Sequence, residues 1–363
     1  MTATVDARRR QPALRSGGPQ PDDDVAPTSP VGLGRRGGGL ALLALVLAGV
    51  CVASIAVGAR SIDPGTVWEA LWSFDPANND HLVVRSLRIP RTLLGLLVGS
   101  GLGVAGTVMQ GVTRNPLADP GIFGVNGGAA LAVVIGIFVF GITSPTGYVW
   151  LAFAGAAVAS AVVYGLGALG RGGATPVKLA LAGAAMAALL QALTTTVLLV
   201  DLATLDQYRF WAVGSLAGRN ADVVGQIAPF AVAGLAIGLA SATRLNVLAL
   251  GDDLARSLGQ NVHAARALSA TAIVVCCGSA VAAAGPIGFI GLTVPHIARA
   301  IVGPDYRWII AWSILLGPTV LLGADVIGRV VARPEEIQVG IVTAFVGAPF
   351  FMLLVRRRKL AEL

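Results

Sequence analysis

Apolar runs of about 17 to 24 residues recur along this chain, the length a helix needs to cross a hydrocarbon core about 30 Å thick. They can be drawn at 39–59, 92–112, 121–142, 148–169, 178–200, 225–242, 266–284, 286–302, 308–326 and 338–355, with the seventh and eighth parted only by Gly285. The pattern predicts an all-α polytopic membrane protein of about ten transmembrane helices. Within the second run Gly95, Gly99, Gly103 and Thr107 recur every four positions, and in the third Gly124, Gly128, Ala132 and Gly136 do the same. Small residues at that spacing let backbones approach closely, which matters in lipid, where no hydrophobic force drives helix onto helix.

Composition agrees with the pattern. With 55% hydrophobic residues, 12% charged residues and a mean hydropathy of +0.77, the chain is too apolar to cover a water-facing surface. The first 38 residues, rich in Pro, Gly, Arg and Asp and without apolar periodicity, read as a disordered tail. Residues 39–358 form the transmembrane domain, and 359–363 a short second tail. Arg35-Arg36, the apolar run behind them and Val57-Gly58-Ala59 imitate a twin-arginine export signal, and Leu47 to Cys51 lies one residue from a lipoprotein box. Nine further spans and a first run long enough to cross favour an uncleaved first helix. Cys276 and Cys277 are neighbours on one helix and Cys51 lies in another span, so the three cysteines read as apolar fillers.

Charge orients the chain. Eighteen of its 26 Lys and Arg residues fall on the side of the N-terminus and eight on the other. By the positive-inside rule both termini are cytoplasmic. The pI near 10.0 therefore reflects topology, and nothing further points to nucleic acid. Lys178, Arg266, Arg299 and Asp325 all fall near predicted span ends, which leaves no coupling-ion site at membrane depth. Lys occurs only at 178 and 359, so no Gly-x-x-x-x-Gly-Lys-Ser/Thr phosphate loop exists. If ATP drives this chain, the ATPase is another subunit.

Two segments carry a resemblance. Leu87 to Gly95 reads Leu-Arg-Ile-Pro-Arg-Thr-Leu-Leu-Gly, and Met109 to Gly124 reads Met-Gln-Gly-Val-Thr-Arg-Asn-Pro-Leu-Ala-Asp-Pro-Gly-Ile-Phe-Gly. Gly285 to His296 reads Gly-Pro-Ile-Gly-Phe-Ile-Gly-Leu-Thr-Val-Pro-His. From about Leu40 to Lys359 the chain resembles the iron-siderophore and cobalamin importer permeases, the FecCD family. The resemblance implies a type II ABC importer architecture: a second permease copy or paralogue, two cytoplasmic ABC ATPases and an extracytoplasmic solute-binding protein. It also implies ferric siderophore as cargo, with haem or cobalamin as the alternative, no cofactor in this chain, and ATP and Mg on the ATPase. The chain itself would do no chemistry.

The resemblance also distributes roles. The segment Leu248 to Val262 resembles the loop that seats in a groove of the ATPase, with Gly251, Asp252, Leu254, Ala255, Leu258 and Gly259 as its contacts. Read from the residues alone, Asp252 and Asp253 suit a helix N-terminus, and Leu254 and Leu258 make a short apolar stripe. An amphipathic helix resting on the bilayer is the other reading. Asn115 and Leu117, in the turn after the second span, and Thr175 and Pro176, before the fifth, match the family's cytoplasmic gate; ordinary turns also account for them. Arg88, Arg91 and Arg329, the last from Ala-Asp-Val-Ile-Gly-Arg, match the outer arginines that meet glutamates of the binding protein. Pro90 places the first two at a helix N-terminus, where the dipole disfavours cations. Snorkelling to headgroups is their other reading, and for Arg329 an ion pair with Asp325 at i−4. Residues 201–222, with Tyr208, Phe210 and Trp211, resemble a short outer helix facing the binding protein, or form an interfacial aromatic belt. His296 has no partner ligands or nucleophile near it in sequence.

Two other classes keep a place. An ion-coupled secondary transporter would need intramembrane charge. An intramembrane enzyme would need a nucleophile and a base on facing helices, and no motif joins the Ser and His residues present.

Overall fold

The computed structural model describes residues 33–169 and 175–357, and every element in them is helical. Most of the predicted first tail, 1–32, and all of the second, 359–363, lie outside the described residues. Helix α1 (Leu33–Ala56) already contains the last six residues assigned to the first tail, Arg36 among them. Two short helices follow, α2 (Pro64–Trp72) and α3 (Asn79–Leu82). A π-helical turn (Val83–Arg88) leads from α3 into α4 (Ile89–Thr113), so that one continuous helix runs over 79–113. The π turn falls just before Pro90, which has no N–H to give to the preceding turn.

Helices α5 (Val125–Phe140), α6 (Pro145–Ala168) and α7 (Pro176–Val200) carry the next three spans. A short helix α8 (Leu202–Ala212) precedes α9 (Ala221–Leu248), and a one-and-a-half-turn helix α10 (Asp252–Ser257) separates α9 from α11 (Val262–Ala284). The chain closes with α12 (Ile290–Val302), α13 (Tyr306–Val331) and α14 (Val339–Arg357). Each of the ten predicted spans coincides with a helix. Among the described residues seven helices are long and apolar enough to cross a membrane, and three apolar helices, α5, α12 and part of α14, are shorter.

The eighth span needs correction. Helix α12 has 13 residues and rises only about 20 Å. Residues 285–289, and not Gly285 alone, are non-helical, because Pro286 interrupts the chain and Gly285 and Phe289 both take positive φ (75° and 67°). This broken backbone is folded into protein: the Ser215 N–H donates to the Ala284 carbonyl at 2.7 Å. Irregular backbone at membrane depth is tolerated only where protein or water surrounds it.

The core is built around α4. From Val98 to Val112 every residue is buried, and the helix touches α9, α11, α12 and α13. Glycine makes that density possible. A Cβ on Gly99 would lie 2.5 Å from the Pro318 backbone, and one on Gly317 2.1 Å from the Gly99 carbonyl oxygen. Where the helices meet, Thr107 and Ser313 share a buried hydroxyl hydrogen bond of 2.9 Å. The same device joins α5 to α6, where a Cβ on Gly128 would lie 2.3 Å from the Gly155 carbonyl. Gly124, counted with that ladder in the sequence, instead starts α5 from a left-handed conformation.

Candidate functional sites at the two ends of the bundle

At one end the C-terminus of α1 leaves carbonyls with no helical partner, and three arginines supply donors. The Arg88 guanidinium donates to the carbonyls of Ile55 (2.9 Å), Ala56 (2.7 Å) and Arg60 (2.6 Å). Arg329 donates to Ser54 O (2.8 Å), Val57 O (3.0 Å) and the Ser54 hydroxyl (2.9 Å). Arg333 reaches the Gly58 carbonyl at 2.8 Å. Cations at a helix C-terminus are favoured by its dipole.

Asp325 on α13 joins this cap to α4. It is wholly buried, accepts a two-pronged pair from Arg91 at 2.8 and 3.0 Å, and accepts from Arg329 at 2.7 Å. The remaining Arg91 amino group meets Glu336 at 2.6 Å. A cavity of about 360 Å³ lies beside these groups, lined by Arg88, Arg91, Arg329 and Glu336 among others.

The expectation that Arg88, Arg91 and Arg329 stand out to meet a partner is corrected in its geometry: all three are buried and engaged with this chain's own carbonyls and carboxylates. The dipole argument behind it fails as well, since the second helix begins at Asn79 and both Arg88 and Arg91 lie well inside it. For Arg329 the alternative i−4 ion pair with Asp325 is the one observed. Nearby, Asp201 caps α8 by accepting from the Thr204 hydroxyl and N–H (2.5 and 2.9 Å), and these bonds hold its carboxyl below the usual range. Of the α8 aromatics Phe210 is exposed and Trp211 buried, so they do not form one interfacial belt.

At the other end the segment after α9 folds as its sequence implies. Asp252 and Asp253 open α10, Ala255 is buried against the bundle, and Leu254 and Leu258 are 49% and 61% exposed. Leu250 beside them is exposed too. Gly251 and Gly259 bracket the turn with φ of 105° and 80°, values that L side chains rarely adopt. Asp252 turns inward as Ala255 does, pairing with Arg114 and with Arg266 (2.8 Å).

The turn after α4 is local. The Asn115 side chain accepts from the Leu117 N–H at 2.9 Å, and Leu117 is exposed. Thr175 caps α7, accepting from the Lys178 N–H, with Pro176 in the first turn. No hydrogen bond or ion pair among the described residues joins these two turns. His296 is buried, and among the described residues no group of three His, Cys, Asp or Glu stands together. Sequence reasoning missed Glu336, Arg333, Arg114 and Ser54, whose partners are distant in the chain and leave no local signal.

Comparison with known proteins gives one answer over most of the chain. The model of the FecCD transport family matches residues 43–357. The ferric enterobactin transport system permease protein FepD of Escherichia coli is 46% identical over 321 residues, covering 88% of this chain and 94% of FepD. The iron(3+)-hydroxamate import system permease protein FhuB of Bacillus subtilis is 42% identical over 322 residues, 87% of this chain and 83% of FhuB. Among solved structures, an inward-facing conformation described as a metal-chelate type ABC transporter superposes with a TM-score of 0.78 at 30% identity, over 89% of this chain and 100% of that one.

Proposed function

The chain belongs to the FecCD transport family, and from that premise we propose that it is the permease subunit of an ATP-driven importer that brings a ferric siderophore into the cytoplasm. It is a multi-pass membrane protein, and in this reading it lies in the cytoplasmic membrane with both termini inside. A second permease subunit completes the pathway, two cytoplasmic ATPases carry ATP and Mg, and an extracytoplasmic binding protein delivers the cargo. Transport proceeds by alternating access, with the Asn115–Leu117 turn and the Thr175–Pro176 turn on the gated side.

The observation that carries the reading is the apolar surface of α10. Leu250, Leu254 and Leu258 stand exposed on a turn held firmly by its own ion pairs. A rigid, water-exposed apolar patch fits a protein partner better than a lipid surface, because Asp252 and Asp253 head the same helix and anionic headgroups repel them. The buried arginines serve binding-protein docking indirectly, by fixing the outer ends of α1, α4 and α13. An ion-coupled carrier is disfavoured because Asp325, a buried carboxylate, is already engaged by two guanidinium groups of this chain.

The test is reconstitution. Proteoliposomes holding this chain with its ATPase should accumulate ferric siderophore when binding protein is outside and ATP inside. Accumulation driven by an ion gradient without ATP would overturn the proposal.

A further inference from the structure

We infer that Asp252 is a positioning residue that ties the ATPase-facing helix α10 to the turn at the end of α4, so that movement of one is transmitted to the other. The inference rests on the importer reading above, and it gives Asp252 a role different from ATPase contact. One Asp252 oxygen accepts from the Arg114 guanidinium, and Arg266 donates to both oxygens, at 3.0 and 2.8 Å. Three parts of the chain therefore meet on one carboxylate: α10, the second turn of α11 and the residue that immediately precedes Asn115.

The neighbouring acid isolates the effect. Asp253 is fully exposed and, among the described residues, pairs with Arg256 on its own helix, whereas the Asp252 side chain is three-quarters buried and bridges separate elements. Ion pairs sheltered from solvent are screened less than surface pairs.

Arg114 closes α4 in the left-handed region at φ 51°, the conformation with which many helices end and turn the chain away. Its guanidinium is fixed by the Asp252 pair. Because α4 is buried from Val98 to Val112, a pull on Arg114 is not absorbed by bending the helix and falls on the 115–119 turn. When α10 shifts with its ATPase, the carboxylate carries Arg114 and turns the Asn115–Leu117 segment with it.

The experiment uses the full reconstituted transporter carrying Asp252→Asn, Arg114→Gln or both. Three quantities are read: ATPase co-purification, ATP hydrolysis and siderophore uptake per ATP. A fourth is the ATP-dependent labelling of a thiol introduced by Leu117→Cys, against the same protein without it. Assembly and hydrolysis should survive in Arg114→Gln while uptake per ATP falls about fivefold or more, the low end of coupling between sites. The ATP-dependent change in labelling should vanish, and the double variant should be no worse than either single one.

Normal uptake per ATP in Arg114→Gln would overturn the inference, as would additive losses in the double variant. Loss of co-purification in Asp252→Asn with Arg114→Gln unaffected would also overturn it, and would return Asp252 to the ATPase interface. Failure of the unmodified chain to couple uptake to ATP at all would instead strike the importer reading.

Discussion

Asp325 shows what a single side chain does in this molecule. Its carboxylate is sealed from water and takes three hydrogen bonds from two arginines. The exchange of water for these partners is neutral only while all are present. Asp325→Ala strands two buried cations, and breaking such a pair costs about 3–5 kcal/mol. The expected outcome is a sharp fall in the detergent melting temperature, or loss of folded protein on size exclusion. Glu336 lies a third exposed at the edge of the same cluster, so Glu336→Gln should cost about 1 kcal/mol or less and leave the melting temperature nearly unchanged. Equal losses for the two variants would show that the cluster is not sealed. The pair Asp325 and Arg329 was legible in the sequence because an i,i+4 spacing on one helix is local geometry. The partners of Arg91 lie 234 and 245 residues away, and no pattern within a helix announces them.

Helices here are positioned by what they lack. The close crossing of α4 and α13 exists because neither Gly99 nor Gly317 has a side chain. Gly99→Ala should push the helices apart at a cost of about 1–3 kcal/mol, as overpacking does, while Gly225→Ala on α9, with open space around it, should be harmless. Thermal melts of the two variants compare them directly. Span lengths and glycine ladders were readable from the sequence since both follow from helix rise and bilayer thickness. The division of α11 from α12 at Gly285 was readable too, but the length of the break, 285–289, was not, because Ile287 and Phe289 carry the apolar run across it. Pro90 does lie in the first turn of α4, as its sequence position suggests, but the π turn that continues the helix back to Asn79 has no sequence signature. At α10 the acidic first turn and the apolar leucine stripe were legible, since both are local properties. Replacing Leu254 and Leu258 together by Asp should abolish co-purification of the ATPase while membrane insertion and melting stay as in the unmodified chain. An intact complex would remove α10 from the coupling interface.

The molecule as a whole divides its work between ends. One end is locked: arginines from the π turn before α4 and from α13, with Arg333 beyond α13, cap α1, and a buried carboxylate ties α13 to α4. The opposite end carries short turns, positive-φ glycines and exposed leucines around α10. A permease that is worked from the cytoplasm needs this asymmetry, because force applied to a turn is useful only if the far end of the bundle holds still. That the chain crosses a membrane was legible from hydropathy, and its family from two motifs. Cargo was not legible, because apolar helix faces that line a pathway read the same as those that pack. The measurement closest to the central claim is uptake of ⁵⁵Fe-labelled siderophore into proteoliposomes containing this chain and its ATPase. Uptake that requires binding protein outside and hydrolysable ATP inside, and that persists when ionophores collapse every ion gradient, is the result expected. Uptake that survives removal of ATP and disappears with the ionophores would contradict the account.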